Sequence, residues 1–169
     1  MTEWKMIVRE HGALVWRTAY RLVGNRSDAD ECMQEAFVAA VAISRRGPVE
    51  HWPALLKRLA VSRGIDCLRR RARDVLRGDT GGQLLDAASR DVAPDVAAQN
   101  GELAAHLRWT LAKLPGRHAE VMCLRYLSEM SYEEISQELQ ISVRHVGVIL
   151  SRAREELREL LQERGADNG

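Results

Sequence analysis

The stretch Met130–Leu139 (MSYEEISQEL) decides the fold of the C-terminal part of this chain. The Ser131 hydroxyl can accept a hydrogen bond from the backbone amides at the start of a helix, and Glu134, three residues on, can return one. Gln140 and Ile141 then interrupt the helical period, before Ser142 offers a second N-cap. The stretch therefore predicts two helices joined by a tight turn.

The second of these helices has two different faces. Its apolar stripe recurs at spacings of four, three and four and consists of Val146, Leu150, Ala153 and Leu157. The opposite face carries Arg144, Val148, Ser151 and Arg152. This arrangement is typical of a helix-turn-helix, whose second helix enters the major groove of DNA. Any amphipathic helix pair with a solvated charged face has the same period, so the rest of the chain must decide.

Composition excludes several classes of protein. The 169 residues are 46% hydrophobic with a net charge of +1, so a nucleic-acid role would depend on local clusters of charge. Three well-separated cysteines with no CxxC predict buried thiols in a reducing cytoplasm, without a disulfide or a zinc site. We find neither a signal peptide nor a membrane span. Nothing indicates an enzyme, a cofactor or a metal, because nucleophile motifs, phosphate loops and ligand spacings are missing.

The N-terminal part predicts three helices: one from Thr2 to Val23 ended by Gly24, one capped by Ser27, and one from His51 to Val75. The second leaves an acidic face outward, and a solvated surface explains that face on pattern alone. The third is strongly basic, with eight basic residues against two acids between Lys57 and Arg77. Such a cluster favours a phosphate backbone as the partner, over a solubilising face or a contact for an acidic protein.

Residues 78–102 have a different composition, with five acids, one arginine and repeated Gly and Pro. This composition predicts a linker, which includes a short helical piece around Leu84–Ala88. Beyond it, two more helices are expected, over Leu103–Leu114 and Arg117–Leu127. The predicted fold is all-α: two small helical bundles, residues 1–77 and 103–169, on a flexible acidic linker, with the helix-turn-helix in the second.

Several motifs, in order, resemble one family. Asp28–Phe37 resembles its Asp-Ala-x-Asp-x-x-Gln-x-x-Phe pattern, with Glu31 in place of the second Asp. Leu55–Arg70, Leu114-Pro115, Leu124–Tyr126, Met130–Ile135 and Leu150–Leu157 resemble its later motifs. The chain thus resembles the bacterial RNA polymerase sigma factors of the extracytoplasmic-function type, which keep only regions 2 and 4 of the sigma-70 family.

The resemblance implies a cytoplasmic protein that directs promoter-specific transcription initiation, in a stress or signal response, without being an enzyme. The implied partners are core RNA polymerase (the clamp helices of its largest subunit and the flap of its second-largest), promoter DNA and an anti-sigma factor. Implied polymerase contacts are Asp28, Glu31, Gln34 and Glu35. Implied minus-ten contacts are Arg45, Arg46, His51, Arg58, Arg63, Arg69 and Arg70, and implied minus-thirty-five contacts are Arg125, Arg144, His145, Val148 and Arg152.

Some positions depart from the family pattern. Its usual Gly-Thr-Val-Lys-Ser-Arg is replaced by Arg144–Ile149, which removes two cationic contacts and introduces Gly147. Gln140 stands where Gly is usual, at a position that often needs positive φ, and Leu55 and Ser62 replace Trp and Asn. We therefore expect an unusual or weakly bound minus-thirty-five sequence. A stand-alone helix-turn-helix regulator, which needs no polymerase, remains the alternative.

Overall fold

The computed structural model describes residues 3–78 and 94–167, and these residues form seven helices and no strand. The helices are α1 (Trp4–Val23), α2 (Arg26–Ser44), α3 (Trp52–Arg77), α4 (Pro94–Lys113), α5 (Gly116–Tyr126), α6 (Tyr132–Leu139) and α7 (Val143–Asp167). The predicted all-α fold is confirmed. The short helical piece predicted around Leu84–Ala88 lies outside the described residues.

Helices α1 to α3 pack on one another as the N-terminal bundle. Gly24 ends α1 with φ of 78° and its amide donates to the Tyr20 carbonyl, as the sequence predicts. The predicted cap of α2, Ser27, is wrong: α2 begins at Arg26, and the Asn25 side chain accepts from the Asp28 amide. Asn25 is the N-cap because its side chain reaches that amide, whereas Ser27 already lies inside the first turn of the helix.

Helices α4 to α7 form the C-terminal bundle. Helix α4 begins at Pro94, so it takes in residues that the sequence predicts as linker. Proline fits there because its fixed φ and missing N–H suit the first turn of a helix. In the core of this bundle Leu114, Leu124, Ile135 and Leu150 are at most 2% exposed.

The two bundles share an apolar core. Leu22, Val61, Ile65 and Leu68 of the N-terminal bundle belong to the same buried cluster as the core of the C-terminal bundle. Three arginine-to-carbonyl hydrogen bonds join the bundles as well: Arg21 to Leu127, Arg69 to Leu114 and Arg108 to Leu22. The sequence predicts two separate bundles on a tether and does not predict this contact.

Candidate functional site

Helices α6 and α7 form the helix-turn-helix predicted from Met130–Leu139. The Ser131 Oγ accepts from the Glu134 amide at 3.1 Å, and the Glu134 carboxylate accepts from the Ser131 amide at 2.7 Å, which completes a capping box. Ser142 caps α7 by accepting from the His145 amide at 3.1 Å. Both predicted caps are confirmed.

The turn between α6 and α7 contains the backbone strain expected from the sequence. Gln140 adopts φ 54° and ψ 45°, the left-handed conformation that a side chain disfavours. The Ser136 hydroxyl donates to the Ile141 carbonyl at 2.6 Å and ties α6 to the residue after the turn. Gln140 therefore adopts the conformation that glycine favours, at a cost in stability.

The outward face of α7 is exposed as the sequence predicts. Arg144, His145, Val148 and Arg152 are all exposed, and Val146, Leu150 and Ala153 are buried beneath them. Within the described residues Arg144 and Arg152 make no ion pair or side-chain hydrogen bond. Ile149, where the family pattern has Arg, is only 4% exposed and belongs to the core. The face thus offers two uncommitted guanidinium groups and the positive end of a helix dipole, which suits a phosphate backbone and base edges.

Arg125, unlike the arginines on the outward face of α7, makes contacts within the protein. Its Nη1 donates to the Met130 carbonyl at 3.1 Å, and its guanidinium lies 5.5 Å from the centre of the Tyr132 ring. It therefore links the end of α5 to the start of α6 and positions the helix-turn-helix. Its remaining donors face partly outward, since the residue is only half-buried.

The outward face of α2 keeps its predicted acidic character. Glu31 and Gln34 are exposed and Glu35 is half-buried, while Ala29, Ala36 and Ala40 pack inward. Glu31 lies 3.8 Å from Arg70 with both side chains about half exposed, which is a weak surface contact. This face is open to a basic partner surface.

Asp28, the fourth residue predicted on this face, points toward α3. Its carboxylate accepts from the Arg71 guanidinium and from Asn25 Nδ2 at 2.9 Å. Burial alone would raise the pKa of this carboxyl, but the hydrogen bonds from Asn25 and Arg71 outweigh it and hold the pKa below its ordinary value. In this position Asp28 stabilises the α2–α3 contact.

The loop between α2 and α3 lies at one end of the N-terminal bundle. Arg45 and Arg46 are exposed at its start. At its end His51 caps α3, with its Nδ1 accepting from the Ala54 amide at 3.1 Å. The loop, together with Arg58 of α3, forms one wall of a polar cavity of about 410 Å³.

The predicted minus-ten arginines of α3 do not share one exposed face. Arg70 is exposed, whereas Arg63 is half-buried and its Nε has no described partner. Arg69 donates to the Leu114 carbonyl at 2.9 Å. Arg58 is paired with Glu138 of α6 at 2.8 Å. Two of the four are therefore engaged by the C-terminal bundle.

Glu138 and Arg108 both join the bundles, and the sequence does not predict either contact. Glu138 is 80 residues from Arg58 along the chain, and Arg108 is 86 from Leu22. Helical periodicity reports only which side of a helix is polar, so it holds no signal for such pairs. Within residues 3–78 and 94–167, no helix is long and apolar enough to cross a membrane, and we find no cluster of potential metal ligands.

Fold and site together define an all-α protein that presents a helix-turn-helix and a separate, exposed acidic face on α2. Residues 7–74 match the family model "Sigma-70 region 2" and residues 110–159 match "Sigma-70, region 4". The chain is 30% identical to the ECF RNA polymerase sigma factor SigW of Bacillus subtilis, over 88% of this chain and 83% of that protein. The chain belongs to the extracytoplasmic-function sigma factors.

Another relative is longer than this chain. The ECF RNA polymerase sigma factor SigE of Mycolicibacterium smegmatis is 30% identical over 99% of this chain, which spans 65% of the length of SigE. The match over residues 7–74 disfavours the alternative of a stand-alone helix-turn-helix regulator, because it assigns the N-terminal bundle to a sigma region.

Solved structures agree on the fold. CnrH in complex with the cytosolic domain of CnrY is 26% identical, with a TM-score of 0.56 over 94% of this chain and 87% of that one. RpoE of Bartonella quintana, solved with the anti-sigma factor NepR, has a TM-score of 0.57 over 96% of this chain and 98% of that one. At 19% identity, this second likeness concerns the fold alone.

Proposed function

We propose that this chain binds core RNA polymerase through the N-terminal bundle and directs it to promoters that both bundles read, with no chemical step of its own. The observation that carries the proposal is the pairing of an exposed acidic α2 face with an exposed cationic α7 face on a chain that matches sigma regions 2 and 4. The protein then works where polymerase works, in the cytoplasm.

The acidic face of α2 is the proposed contact to the clamp helices of the largest polymerase subunit. Glu31 and Gln34 contribute most of this proposed contact, because they are exposed and make no strong contact with the described residues. Glu35 adds a half-buried carboxylate beside them. We assign Asp28 a supporting role, because its carboxylate is already engaged by Arg71 and Asn25.

The loop from Arg45 to His51 and the basic side of α3 are the proposed minus-ten surface. Extruding a base from its stack costs a few kcal/mol, which a pocket and cationic contacts to the strand must offset. Arg45, Arg46 and Arg70 are exposed, so they can give such contacts without rearrangement of the bundles. Arg63 is half-buried and would have to turn outward, and Arg58 and Arg69 must first leave their partners in α6 and at Leu114.

Helix α7 is the proposed reader of the minus-thirty-five element. Arg152 is placed to reach a base edge, Arg144 and His145 to reach phosphates at the start of the helix, and Val148 to contact a thymine methyl group. With Gly147 and the buried Ile149 where the family has cations, we expect weak binding by this region alone. Arg125 holds the motif in place, and the flap of the second-largest subunit is the proposed polymerase partner of this bundle.

An anti-sigma factor is the proposed regulator. RpoE was crystallised with the anti-sigma factor NepR, and the structure of CnrH was solved in complex with the cytosolic domain of CnrY. A helical inhibitor that covers the α2 face or the α7 face would block the proposed polymerase or promoter contact. Purification from native cells should yield the chain bound to a second, small protein, and a chain always recovered alone or with polymerase would contradict this.

Charge reversal on α2 tests the polymerase contact. Glu31→Lys should lower the affinity for core polymerase about tenfold, a loss of about 1.4 kcal/mol, because it places like charge against a basic partner. The measurement is a pull-down titration with purified core enzyme, followed by run-off transcription on genomic fragments. Glu10→Lys is the matched control, since Glu10 is also exposed but lies on α1. Normal core affinity with altered promoter choice would mean that α2 faces DNA.

A further inference from the structure

Packing brings together two cysteines that are far apart in the sequence. All three cysteines of the chain are buried and free, as the sequence predicts. Cys32 of α2 and Cys67 of α3 belong to one small buried cluster, and their side chains lie within hydrogen-bonding distance of each other. Cys123 of α5 lies in a different cluster, in the core of the C-terminal bundle. The chain therefore contains one buried pair of thiols and one buried single thiol.

The residues around the pair are mostly small. The other buried members of the cluster are Ala19, Val23 and Ala29, and Trp16 and Tyr20 pack at its edge. The distance between two packed helices depends on the side chains at their contact, so small side chains allow a close approach. Such a contact between α2 and α3 suits the Cα separation of about 4.4–6.8 Å that a disulfide requires.

The charged groups around the pair make its two thiols unlike each other. The hydrogen bond from Cys32 holds the pKa of the Cys67 thiol below its ordinary value, and the charges of Arg71 and Arg70 act in the same direction, whereas burial and Asp28 oppose them. The same hydrogen bond, together with burial, raises the pKa of Cys32. Cys67 is thus the thiol that ionises more readily, and the thiolate is the form that attacks an oxidant.

Exposure also favours reaction at Cys67. This residue is 5% exposed, against 1% for Cys32, and its neighbours Asp66 and Arg70 are exposed. A molecule as small as hydrogen peroxide therefore reaches Cys67 first. At Cys123, by contrast, burial raises the pKa of the thiol to about 12. Cys123 thus offers little thiolate and no neighbouring thiol, which makes it an internal reference for the pair.

We propose that Cys32 and Cys67 form a reversible oxidation site, at which a peroxide converts the two thiols to a disulfide that links α2 to α3. The Cys67 thiolate attacks one peroxide oxygen: an S–O bond forms, the O–O bond breaks, and the leaving hydroxide takes up the proton that Cys67 has lost. The Cys32 sulfur then attacks the sulfur of this sulfenic acid, so that the S–S bond forms, the S–O bond breaks and a second water leaves. The two sulfurs lose two electrons in all, and the peroxide gains them. A dithiol reductant reverses the reaction and is itself oxidised to a disulfide.

This site is separate from the proposed sigma function. The bridge would lie beside the contact between Arg71 and Asp28, which already joins α2 and α3. Neither polymerase nor DNA takes part in its formation, so run-off transcription tests the proposed function and oxidation of the purified chain tests this site. Thiols that only fill space in the core would react no faster than Cys123.

Mass spectrometry of the full chain after treatment with hydrogen peroxide is the first experiment. The wild type should lose two hydrogens and yield a peptide pair joined through Cys32 and Cys67, with Cys67 consumed at least about tenfold faster than Cys123. Cys32→Ala should stop at a sulfenic acid on Cys67, which dimedone traps. Cys67→Ala should leave Cys32 reduced. Cys123→Ala is the matched control and should form the disulfide at the wild-type rate.

Equal consumption of Cys67 and Cys123 in the wild type would overturn the proposal. A wild-type sulfenic acid that never proceeds to the S–S bond, or a disulfide formed only between two copies of the chain, would overturn it as well. Circular dichroism before treatment confirms that each variant keeps its helical content.

Urea denaturation is the second experiment, and it distinguishes a bridge that fits the folded chain from one that forms only when the chain opens. A bridge across an existing helix contact constrains the unfolded chain, so the oxidised wild type should unfold at about 1–2 M more urea than the reduced protein. Dithiothreitol should reverse this shift, and Cys67→Ala should show no shift after the same treatment. An unchanged or lower midpoint for the oxidised wild type would mean that the two sulfurs do not meet in the folded chain, and the proposal would fail.

Discussion

Helices α3 and α7 both present arginines on a polar face, yet the two sets of arginines are used in different ways. On α3, Arg58, Arg69 and Arg71 contact carboxylates or carbonyls of other helices. On the outward face of α7, Arg144 and Arg152 are exposed and make no ion pair or side-chain hydrogen bond with the residues that the structure describes. A basic helix face is therefore not by itself a nucleic-acid surface, because the same groups also hold helices together.

The difference follows from the position of each helix. Helix α3 is central: it packs against α1 and α2 and also against the C-terminal bundle. A guanidinium near such contacts is partly shielded from water and has backbone carbonyls within reach. Hydrogen bonds to these carbonyls replace the hydration that the guanidinium has lost. The face of α7 around Arg152 is exposed, and none of the residues that the structure describes forms an ion pair or side-chain hydrogen bond with that arginine.

The largest expected effect is on α7. Arg152→Ala should remove one base-edge contact worth about 1–3 kcal/mol, which corresponds to about 5- to 150-fold less run-off transcript from the cognate promoter. The free energy of unfolding should hardly change, because the exposed side chain makes no ion pair or side-chain hydrogen bond within residues 3–78 and 94–167. Arg158→Ala is the control, an exposed arginine farther along α7. If both variants transcribe equally, Arg152 is not a reader of the promoter.

The matching change on α3 should affect stability instead. Arg71→Ala removes hydrogen bonds to the Val23 carbonyl and the Asp28 carboxylate, both partly buried, and should cost about 1–2 kcal/mol in the free energy of unfolding. Urea denaturation measures this, and Arg73→Ala, which changes an exposed arginine on the same helix, should cost less than about 0.5 kcal/mol.

The stability difference between Arg71→Ala and the wild type should depend on pH. The folded-state pKa of Asp28 is depressed, so its stabilising effect is present above the unfolded value of about 3.9 and is lost as the pH falls through the folded pKa. Denaturation at neutral pH and at about pH 3 should therefore show the gap between wild type and variant narrowing in acid. A gap that stays constant would mean that the lost bond to Val23 explains the whole cost.

The smallest effect is expected in the turn of the helix-turn-helix. Gln140→Gly should raise the free energy of unfolding by about 0.5–1 kcal/mol, because glycine adopts the left-handed conformation at residue 140 without steric cost. Gln137→Gly, on an exposed position of α6, should lower it by about 1 kcal/mol, since glycine weakens a helix interior. Thermal melting distinguishes the two signs, and a loss at both positions would contradict the strain at residue 140.

Much of the fold could be predicted from the sequence because the signals are local. The caps at Ser131 and Ser142, the end of α1 at Gly24 and the buried stripe of α7 all depend on residues within a few positions of each other. The strain at Gln140 was predictable for the same reason. The cap of α2 was missed because Asn25 and Ser27 are both favoured cap residues, and only the geometry decides between them.

The candidate site divides in the same way. Exposure of Arg144, Val148 and Arg152 follows from the period of one helix. The engagement of Arg58 by Glu138 joins residues 80 positions apart, and the inward turn of Arg125 depends on where the Met130 carbonyl lies after the end of α5. Periodicity predicts which side of a helix is polar, whereas the partner of each polar group is set by packing between elements.

Gly24 has a consequence for any mutational survey of this chain. It ends α1, and the space left by its missing side chain is filled by the guanidinium of Arg108 from α4, which any Cβ at residue 24 would strike. A replacement at residue 24 would thus disturb a turn and, at the same time, the seating of a helix more than 80 positions away. Such a survey would score this glycine among the least tolerant positions, although it is not among the residues proposed to contact promoter or polymerase. Its intolerance would measure the cost of separating the two bundles.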